Sequence, residues 1–449
     1  MALLIQGGRV VNPATQMDEI ADVLIEDGRV KEIKKDIKPE QSYQIISAEG
    51  CLVMPGFIDL HVHFRDPGFT WKEDIFTGME AAAHGGFTTV LAMPNTKPVA
   101  DHADVIRFVH NKAKAQKGVS VLQVGAITKG QLGKELADIK EMVEAGIPAI
   151  SEDGKSVMNA QLYREGMKLA AELGIPVLAH CEDINLVSGG VMNADHKAEE
   201  LGMKGISNAV EDVIIARDII LAKETGVHLH LCHCSTQDSV KMVKAAKEDG
   251  CHISAEVCPH HFTLTSEDIK EAEPQIEAGI MISRDIDADT NYKMNPPLRT
   301  KEDVQALKEG LRDGIMDVIS TDHAPHSFDE KNTSMKSAPF GIVGLETAAA
   351  LTYTELVLGG YLTPMQMAEK MSKNPAKVIG IDRGDIQPGK VADLVIFDPK
   401  ETYTVDKNTF ASKGRNTPFH GRTVTGRVKC TICDGEVVFQ DYLTGEKTV

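Results

Sequence analysis

The middle of the chain predicts an α/β protein built on a closed (β/α)8 barrel of the TIM type. Eight apolar runs with strand character alternate with helical patterns between residues 54 and 386. Most helical patterns stop at a glycine, which is a common signal for a helix C-terminus. Strand, helix and strand repeated eight times is typical of such a barrel. A doubly wound open sheet is the alternative, but no GxGxxG follows an early strand.

Short strands with tight turns at both ends of the chain predict a second, smaller domain. Residues 1–53 contain turn signals such as Asp27-Gly28, and residues 387–449 repeat this style with Asp434-Gly435. Two strand-rich ends around a different middle favour one domain assembled from both. We therefore expect a small β-sandwich from residues 1–53 and 387–449, flanking a barrel of residues 54–386.

Composition excludes several classes of partner. The formal net charge of -18 would repel phosphate backbones and anionic membranes, so we expect no nucleic-acid partner. No apolar run approaches the roughly 20 residues that a membrane-spanning helix needs. The N-terminus lacks the pattern of a signal peptide, and the eight cysteines favour free thiols in a reducing compartment. We expect a cytoplasmic protein.

The first barrel strand carries the strongest single motif. Along this strand apolar and polar residues alternate: Ile58, Asp59, Leu60, His61, Val62, His63, Phe64. His61 and His63 should therefore project from one face, where two neutral imidazoles can bind zinc or a similar ion. A bare HxH is more often structural, but here Arg65 follows directly and offers a cation for an anionic ligand. The motif predicts a metal pair beside an anion-binding group.

Polar residues close six of the strand runs at their C-terminal ends, and on five of these strands they are of metal-ligand type. These residues are His61 with His63, Asn95, Asp153, His180, His233 and Asp322. In a barrel the C-terminal strand ends form one rim, where barrel enzymes keep their chemistry. The sequence therefore predicts a metal site on that rim.

Cysteines offer weaker candidates. Cys430 and Cys433 have CxxC spacing, but they lie in an alternating run without a second CxxC, which favours two strand residues. Cys232 and Cys234 flank His233. On a regular strand the two cysteines would share one face and His233 would occupy the other, so the three could not bind one ion.

Seven motifs together carry a resemblance over nearly the whole chain. They are DLHVHFRDPG (59–68), MPNT (93–96), SEDG (151–154), AHCED (179–183), LCHCS (231–235), YKMNPPLR (292–299) and STDHAPH (320–326). The pattern resembles the metal-dependent amidohydrolase superfamily and, within it, the class I dihydroorotases. The resemblance implies two zinc ions per subunit. His61, His63 and Asp322 would bind one, His180 and His233 the other, and Asp153 would bridge them.

The resemblance also implies a reaction, the reversible hydrolysis of (S)-dihydroorotate to N-carbamoyl-L-aspartate in pyrimidine (UMP) biosynthesis. A metal ion lowers the pKa of a coordinated water from 15.7 to about 7 and polarises the carbonyl group under attack. Asp322 would be the catalytic base and then the acid. Arg65 would pair with the substrate carboxylate as a planar fork. The substrate-binding residues implied are His63, Arg65, Asn95, Asn295, His326, Phe340 and Gly341.

Two nearby features are assigned other roles. Many relatives bridge their metals with a carboxylated lysine, but the spacing here favours Asp153 and leaves Lys155 as a surface loop residue. His260 and His261 match the family pattern as well, and we expect them to be structural. The acidic stretch 270–290 is longer than expected and could be a flap, a subunit contact or a plain surface insertion.

Rival functions remain open at this point. Allantoinase and dihydropyrimidinase (hydantoinase) share the barrel and metals, but their substrates lack the carboxylate that Arg65 would bind. A non-catalytic scaffold for aspartate transcarbamoylase would be expected to lose metal ligands, whereas all six are present. We expect a homodimer, and a complex with aspartate transcarbamoylase is compatible with an active enzyme.

Overall fold

The computed structural model describes residues 2–271, 276–277, 280–281 and 287–441. Much of the acidic stretch 270–290 lies outside the described residues, so its role stays a prediction. No helix in the described part of the chain is long and apolar enough to cross a membrane.

Eight parallel strands form the barrel, as the eight apolar runs predicted. They are Phe57–Val62, Phe87–Ala92, Ser120–Gln123 continued by Gly125–Ala126, Ile150–Ser151, Val177–Ala179, Leu229–Leu231, Ile253–Val257 and Val318–Ile319. The first three strands form one parallel group. The segment Gly125–Ala126 and the remaining five strands form a second parallel group, in which each strand pairs with the next along the sequence. A parallel bridge between Val62 and His323 joins the first strand to the segment after the last one. The barrel is thereby closed.

Helices connect the barrel strands. The principal ones are Ile75–His84, Ala103–Lys114, Ile139–Glu144, Ala160–Leu173, Ala209–Thr225, Gln237–Glu248, Lys301–Arg312 and Leu345–Thr352, followed by Pro364–Ala368 and Asn374–Val378. The predicted glycine stops are confirmed. Gly174 and Gly226, for example, cap their helices with φ of 70° and 72°, a left-handed conformation that costs glycine little.

Shorter elements lie between or directly after these helices and strands. The short helices and turns are Lys129–Gln131, Ile184–Val187, His196–Glu200, Pro259–Thr263, Ser266–Asp268, Thr290–Tyr292, Phe328–Lys331, Tyr353–Val357, Glu369–Lys373 and Lys407–Thr409. Two small ribbons pair Met192–Asn193 with Gly205–Ile206 and Ile276–Glu277 with Ile280–Met281.

Both ends of the chain contribute to one eight-stranded mixed sheet. Its strands are Leu3–Asn12, Met17–Glu26, Arg29–Lys34, Gln44–Ser47, Leu52–Pro55, Leu394–Thr404, Thr423–Cys433 and Glu436–Gln440. The two halves join where Leu52–Pro55 pairs antiparallel with Leu394–Thr404. The sheet has its own apolar core, which includes Ile5, Val23 and Ile396. The α/β barrel with a small β domain from both ends is confirmed, and the exact boundaries after residues 53 and 386 stay predictions.

Apolar side chains fill the barrel beneath its C-terminal rim. Ile58, Leu60, Leu91, Leu178 and Val318 belong to one buried cluster inside the barrel. A second, larger cluster lies between the strands and the surrounding helices. The packed interior gives the polar side chains on the rim a rigid base.

Glu73 links the barrel to the segment that connects the strands Leu394–Thr404 and Thr423–Cys433 of the eight-stranded sheet. Its buried carboxylate accepts hydrogen bonds from the hydroxyl groups of Thr77 and Ser412 and, at 3.2 Å, from the backbone N–H of Lys413. His323 Nε2 lies 3.4 Å from the same carboxylate. One buried charge therefore joins three distant parts of the chain.

Candidate metal centre and active site

Six side chains of metal-ligand type meet at the C-terminal rim of the barrel. They are contributed by five strand ends, and all six are buried: His61, His63, Asp153, His180, His233 and Asp322. The structure thus brings together every residue that the sequence predicted to be a metal ligand. Asp153, His233 and Asp322 follow their strands by only two or three residues, so short rigid connections hold them.

Asp153 lies among the four histidines. Its Oδ1 is 3.0 Å from Nε2 of His61, 3.5 Å from Nδ1 of His180 and 3.8 Å from Nε2 of His233. Its Oδ2 is 3.4 Å from Nε2 of His63. The two carboxylate oxygens thus face different histidines.

Asp322 approaches the histidine pair of the first strand. Its Oδ1 lies 3.1 Å from Nε2 of His63 and 3.6 Å from Nε2 of His61. Asp322 and His233 have φ of 49° and 32°, which are left-handed values that non-glycine residues rarely adopt. Such strain at a rim of convergent polar groups is typical of functional sites.

Two groups of ligand atoms fit a metal ion. His61, His63 and Asp322 form one group and His61, Asp153 and His233 another, each with its ligand atoms within 4.8 Å of one another. Nε2 of His61, Oδ1 of Asp153 and Nδ1 of His233 are buried without a hydrogen-bond partner. Buried polar atoms without partners are costly, and imidazole with carboxylate is the donor set that zinc prefers. The residues present therefore fit the metal that the motifs predict.

The electrostatics of the site favour a cation. Burial raises the pKa of Asp153, but His61, His180 and His233 outweigh this effect and hold it well below its usual value. Burial lowers the pKa of His180, but contacts with Asp153 and Glu182 raise it to about 10. The carboxylates thus attract positive charge, which a bound metal ion can supply in place of imidazole protons.

A cavity of about 280 Å³ opens beside these ligands. It is lined by the metal-ligand residues other than His61 and by every predicted substrate residue: His63, Arg65, Asn95, Asn295, His326, Phe340 and Gly341. Gly341 has φ of 129°, and a side chain there would lie 2.7 Å from Cβ of Ala324. The wall of the cavity can therefore approach this closely only with glycine.

Arg65 and His326 form one wall of the cavity. The guanidinium of Arg65 donates to the carbonyl oxygen of Pro325 at 3.2 Å and lies 3.3 Å from Nε2 of His326. Burial lowers the pKa of Arg65 to about 10, so it stays charged at neutral pH. Burial, together with the cations of Arg65 and Lys72, lowers the pKa of His326 well below its usual value. Arg65 therefore provides the positive charge on this wall.

Comparison with known proteins identifies the family of this chain. The model of the amidohydrolase family matches residues 52–438. The chain belongs to the amidohydrolase family. Among curated relatives, the dihydroorotase of Pelotomaculum thermopropionicum is 49% identical and that of Geobacter metallireducens 47%, each alignment covering 98% of this chain and at least 99% of the relative. The predicted resemblance to the dihydroorotases is confirmed.

Solved structures agree on the amidohydrolase fold. The L-hydantoinase (dihydropyrimidinase) from Arthrobacter aurescens superposes with a TM-score of 0.84 at 26% identity, covering 100% of this chain and 97% of that one. The D-hydantoinase (dihydropyrimidinase) from Thermus sp. gives 0.81 at 27% identity, covering 98% and 95%. The barrel with its small β domain is therefore an amidohydrolase architecture, and the family is generally metal-dependent.

Sequence reasoning missed two glutamates at the amidohydrolase site. Glu256 accepts from Nδ1 of His61 at 3.1 Å, from Nε2 of His230 at 3.0 Å and from the backbone N–H of His233 at 3.2 Å. A lone charge within the apolar run Ile253–Val257 was the available signal. Glu182 lines the cavity. It lay within the motif AHCED, but nothing in the sequence marked it out from its neighbours.

One expectation about the cysteines was wrong. Cys232 and Cys234 do not share a face, since Cys232 packs inside the barrel and Cys234 packs in the cluster between strands and helices. The reason is the left-handed backbone at His233, which breaks the alternation of the strand. Free thiols are confirmed for all eight cysteines, and Cys430 and Cys433 are buried strand residues.

The remaining nearby candidates lie outside the cavity lining. Lys155 is exposed, as expected, and donates to the carbonyl oxygen of Gln131 at 3.0 Å. His260 and His261 are buried with Cys258, and their ligand-type atoms also lie within 4.8 Å of one another. Nε2 of His261 bonds the carbonyl oxygen of Pro296 at 2.9 Å. A structural role for the two histidines stays a prediction.

Proposed function

We propose that this amidohydrolase is a dihydroorotase, which reversibly hydrolyses the cyclic amide of (S)-dihydroorotate to N-carbamoyl-L-aspartate. The observation that carries the proposal is the cavity in which Arg65 and Asp322 face the same space beside the metal-ligand residues. Curated dihydroorotases at 43–49% identity along nearly the whole chain support it. The proposed place of the reaction is de novo pyrimidine biosynthesis.

Bound zinc and the residues around it would have separate roles in the reaction. Bound zinc would supply an activated water and polarise the carbonyl group of the substrate. Asp322 would take the proton of the attacking water and return it to the leaving ring nitrogen. Oδ1 of Asn95 lies 2.9 Å from Nδ1 of His63, a contact that orients this imidazole towards Asp322. Asp322 would be the catalytic residue.

The substrate would be oriented by its carboxylate. Arg65 offers a planar guanidinium that can pair with a carboxylate through two hydrogen bonds. His326, Phe340 and Gly341 line the same side, where Nε2 of His326 bonds the carbonyl oxygen of Phe340 at 2.9 Å. Asn295 would bind the ring amide. With the carboxylate held, the amide bond would be presented to Asp322 in one orientation.

Hydantoinase, dihydropyrimidinase and allantoinase are the nearest alternative functions. The fold supports them as well, because the solved structures cited above are hydantoinases. Against them stands Arg65, a half-buried residue that lines a cavity where dihydropyrimidines and allantoin would leave its charge unpaired. A non-catalytic scaffold is disfavoured because all six ligand residues are present and converge.

The proposal also includes the number of metal ions, the oligomeric state and the cellular location. We propose two zinc ions, one held by His61, His63 and Asp322, the other by His180 and His233, with Asp153 between them. We also propose a homodimer in the cytoplasm. Association with aspartate transcarbamoylase would be compatible with this active site.

Removing and restoring the metal tests the proposal. Protein stripped with a chelator should not release N-carbamoyl-L-aspartate from dihydroorotate, and added Zn²⁺ should restore the release. Undiminished turnover by protein shown to be free of metal would refute the zinc-dependent mechanism. Absence of turnover in fully zinc-loaded protein would refute the substrate assignment.

A further inference from the structure

Glu182 connects a metal-ligand histidine with a substrate-binding residue from a distant part of the chain. Its Oε2 lies 3.2 Å from Nε2 of His180, and its Oε1 accepts from Nδ2 of Asn295 at 2.9 Å. The carboxylate lines the same cavity as Arg65. We propose that Glu182 is a positioning residue that fixes the amide of Asn295 and the tautomer of His180, and so determines the orientation of the substrate ring. The inference rests on the proposed function for its substrate.

The contact with Asn295 sets which end of the amide faces the cavity. An ionised carboxylate can only accept hydrogen bonds, so Asn295 must turn its NH₂ group towards Glu182. The oxygen Oδ1 of Asn295 is then left as an acceptor for a ligand. A ring N–H of a cyclic amide is the donor that such an oxygen recognises, whereas a carbonyl or carboxylate oxygen would be repelled.

The contact with His180 acts on the other side of Glu182. Because Glu182 accepts from Nε2, the proton of a neutral His180 lies on Nε2 and Nδ1 carries the lone pair. Nδ1 is the nitrogen that faces Asp153 at 3.5 Å and Nε2 of His233 at 2.8 Å. A carboxylate behind a ligand histidine commonly fixes its ring and raises its basicity. Glu182 thus prepares His180 to bind a metal ion.

The cavity has a positive charge on one side and a negative charge on another. Arg65 supplies a cation on one wall, while Glu182 supplies an anion beside Asn295. An anion in a cavity that binds an anionic substrate weakens binding unless the substrate carboxylate points away from it. Glu182 therefore excludes the reversed orientation, with the carboxylate at Asn295, and permits the one with the carboxylate at Arg65.

A double-mutant cycle tests the link to Asn295. Glu182→Gln keeps the shape but leaves only one acceptor oxygen for two donors, so we expect KM for dihydroorotate to rise about 10- to 100-fold with a smaller change in kcat. In the Asn295→Ala background the same change should raise KM by less than about 3-fold, because the partner is already gone. Equal effects in both backgrounds would overturn this part of the inference.

Zinc retention tests the link to His180 independently of turnover. Glu182→Gln should release Zn²⁺ to a competing chelator at about 10- to 100-fold lower chelator concentration than the unaltered protein. The matched control is Glu144→Gln, at the exposed end of helix Ile139–Glu144, which should change neither KM nor zinc retention. Unchanged zinc retention in Glu182→Gln would overturn the role at His180.

Failure of the proposed function and failure of a variant to fold can each be distinguished from failure of the inference about Glu182. If the unaltered, zinc-loaded protein does not hydrolyse dihydroorotate, the proposed function fails, and the chelator experiment still decides the role of Glu182 at His180. If Glu182→Gln does not fold, Glu182→Asp replaces it, since the shorter carboxylate cannot reach both partners. A KM for Glu182→Asp equal to that of the unaltered protein would overturn the inference.

Discussion

Oδ1 of Asp153 faces Nε2 of His61 at 3.0 Å, yet both atoms are buried without a hydrogen-bond partner. Asp153 follows the fourth barrel strand, and His61 lies one residue before the end of the first strand, so the contact joins two separate strands at the barrel rim. Two buried groups at this distance need a cation or a proton between them. A metal ion with these ligands satisfies both groups at once.

Removal of a ligand histidine should therefore remove metal. We expect His61→Ala and His233→Ala each to abolish hydrolysis and to lower the bound zinc, because each variant lacks a ligand nitrogen. The measurement is metal content by elemental analysis beside the rate of dihydroorotate hydrolysis. Full activity with undiminished metal in either variant would contradict the assigned site.

Asp322→Asn should separate proton transfer from metal binding. The amide keeps the shape and one ligand oxygen but cannot accept the proton of the attacking water, so we expect kcat to fall about 100- to 10,000-fold. Most of the metal and the thermal stability should remain. Asp329→Asn, at an exposed position seven residues on, is the matched control and should be fully active. A mild loss in Asp322→Asn would show that another group carries the proton.

Arg65→Met tests recognition of the substrate carboxylate. Loss of the charged contact should cost about 2–5 kcal/mol, on the order of 30- to several-thousand-fold in kcat/KM for dihydroorotate. Metal content should not change, and Arg65→Lys should recover only part of the loss because a point charge cannot reproduce the planar fork. Dihydrouracil, which lacks the carboxylate, should be a poor substrate of both proteins. Near-normal dihydroorotate hydrolysis by Arg65→Met would make Arg65 structural.

Glu73→Gln should destabilise the fold in a pH-dependent way. Burial raises the pKa of Glu73, but contacts with His323, Ser412 and Thr77 hold it below its usual value. A carboxyl group with a lowered folded-state pKa contributes stability above its unfolded pKa of about 4.3, and this contribution is lost as pH falls through the folded pKa.

We therefore expect Glu73→Gln to lower the free energy of unfolding by about 1–3 kcal/mol at pH 7. The difference in Tm between the two proteins should narrow as the pH falls from 7 to below 4. Glu144→Gln again serves as the exposed control. A constant Tm difference across this range would show that the charge of Glu73 is not what stabilises the fold.

The barrel strands, the helix ends and the convergent polar residues could be predicted from the sequence, because each of them depends on a pattern within a short segment. The alternation around His61, the glycine after most helical patterns and the polar residues at several strand ends can be recognised without knowledge of distant partners. The closed barrel then brings the strand ends together, so the convergence of Asp153 with His180 and Asp322 follows from the fold.

Other features depend on partners far along the chain and were invisible to such patterns. Glu182 acquires its role from Asn295, 113 residues away, and Glu73 from Ser412, 339 residues away. The left-handed backbone of His233 likewise reflects the packed rim rather than a local preference. In the sequence each of these glutamates stands directly before an aspartate and nothing distinguishes it from that neighbour, so their contacts became visible only in the three-dimensional structure.

The most direct test of the account is a comparison of three substrates on one preparation of purified protein whose metal content is measured. The kcat/KM values for dihydroorotate, dihydrouracil and allantoin should be determined side by side. We predict bound metal and a preference for dihydroorotate of about 30-fold or more over both others, because only dihydroorotate carries the carboxylate that Arg65 can pair. Equal or faster hydrolysis of dihydrouracil or allantoin by the same metal-loaded protein would contradict the assignment.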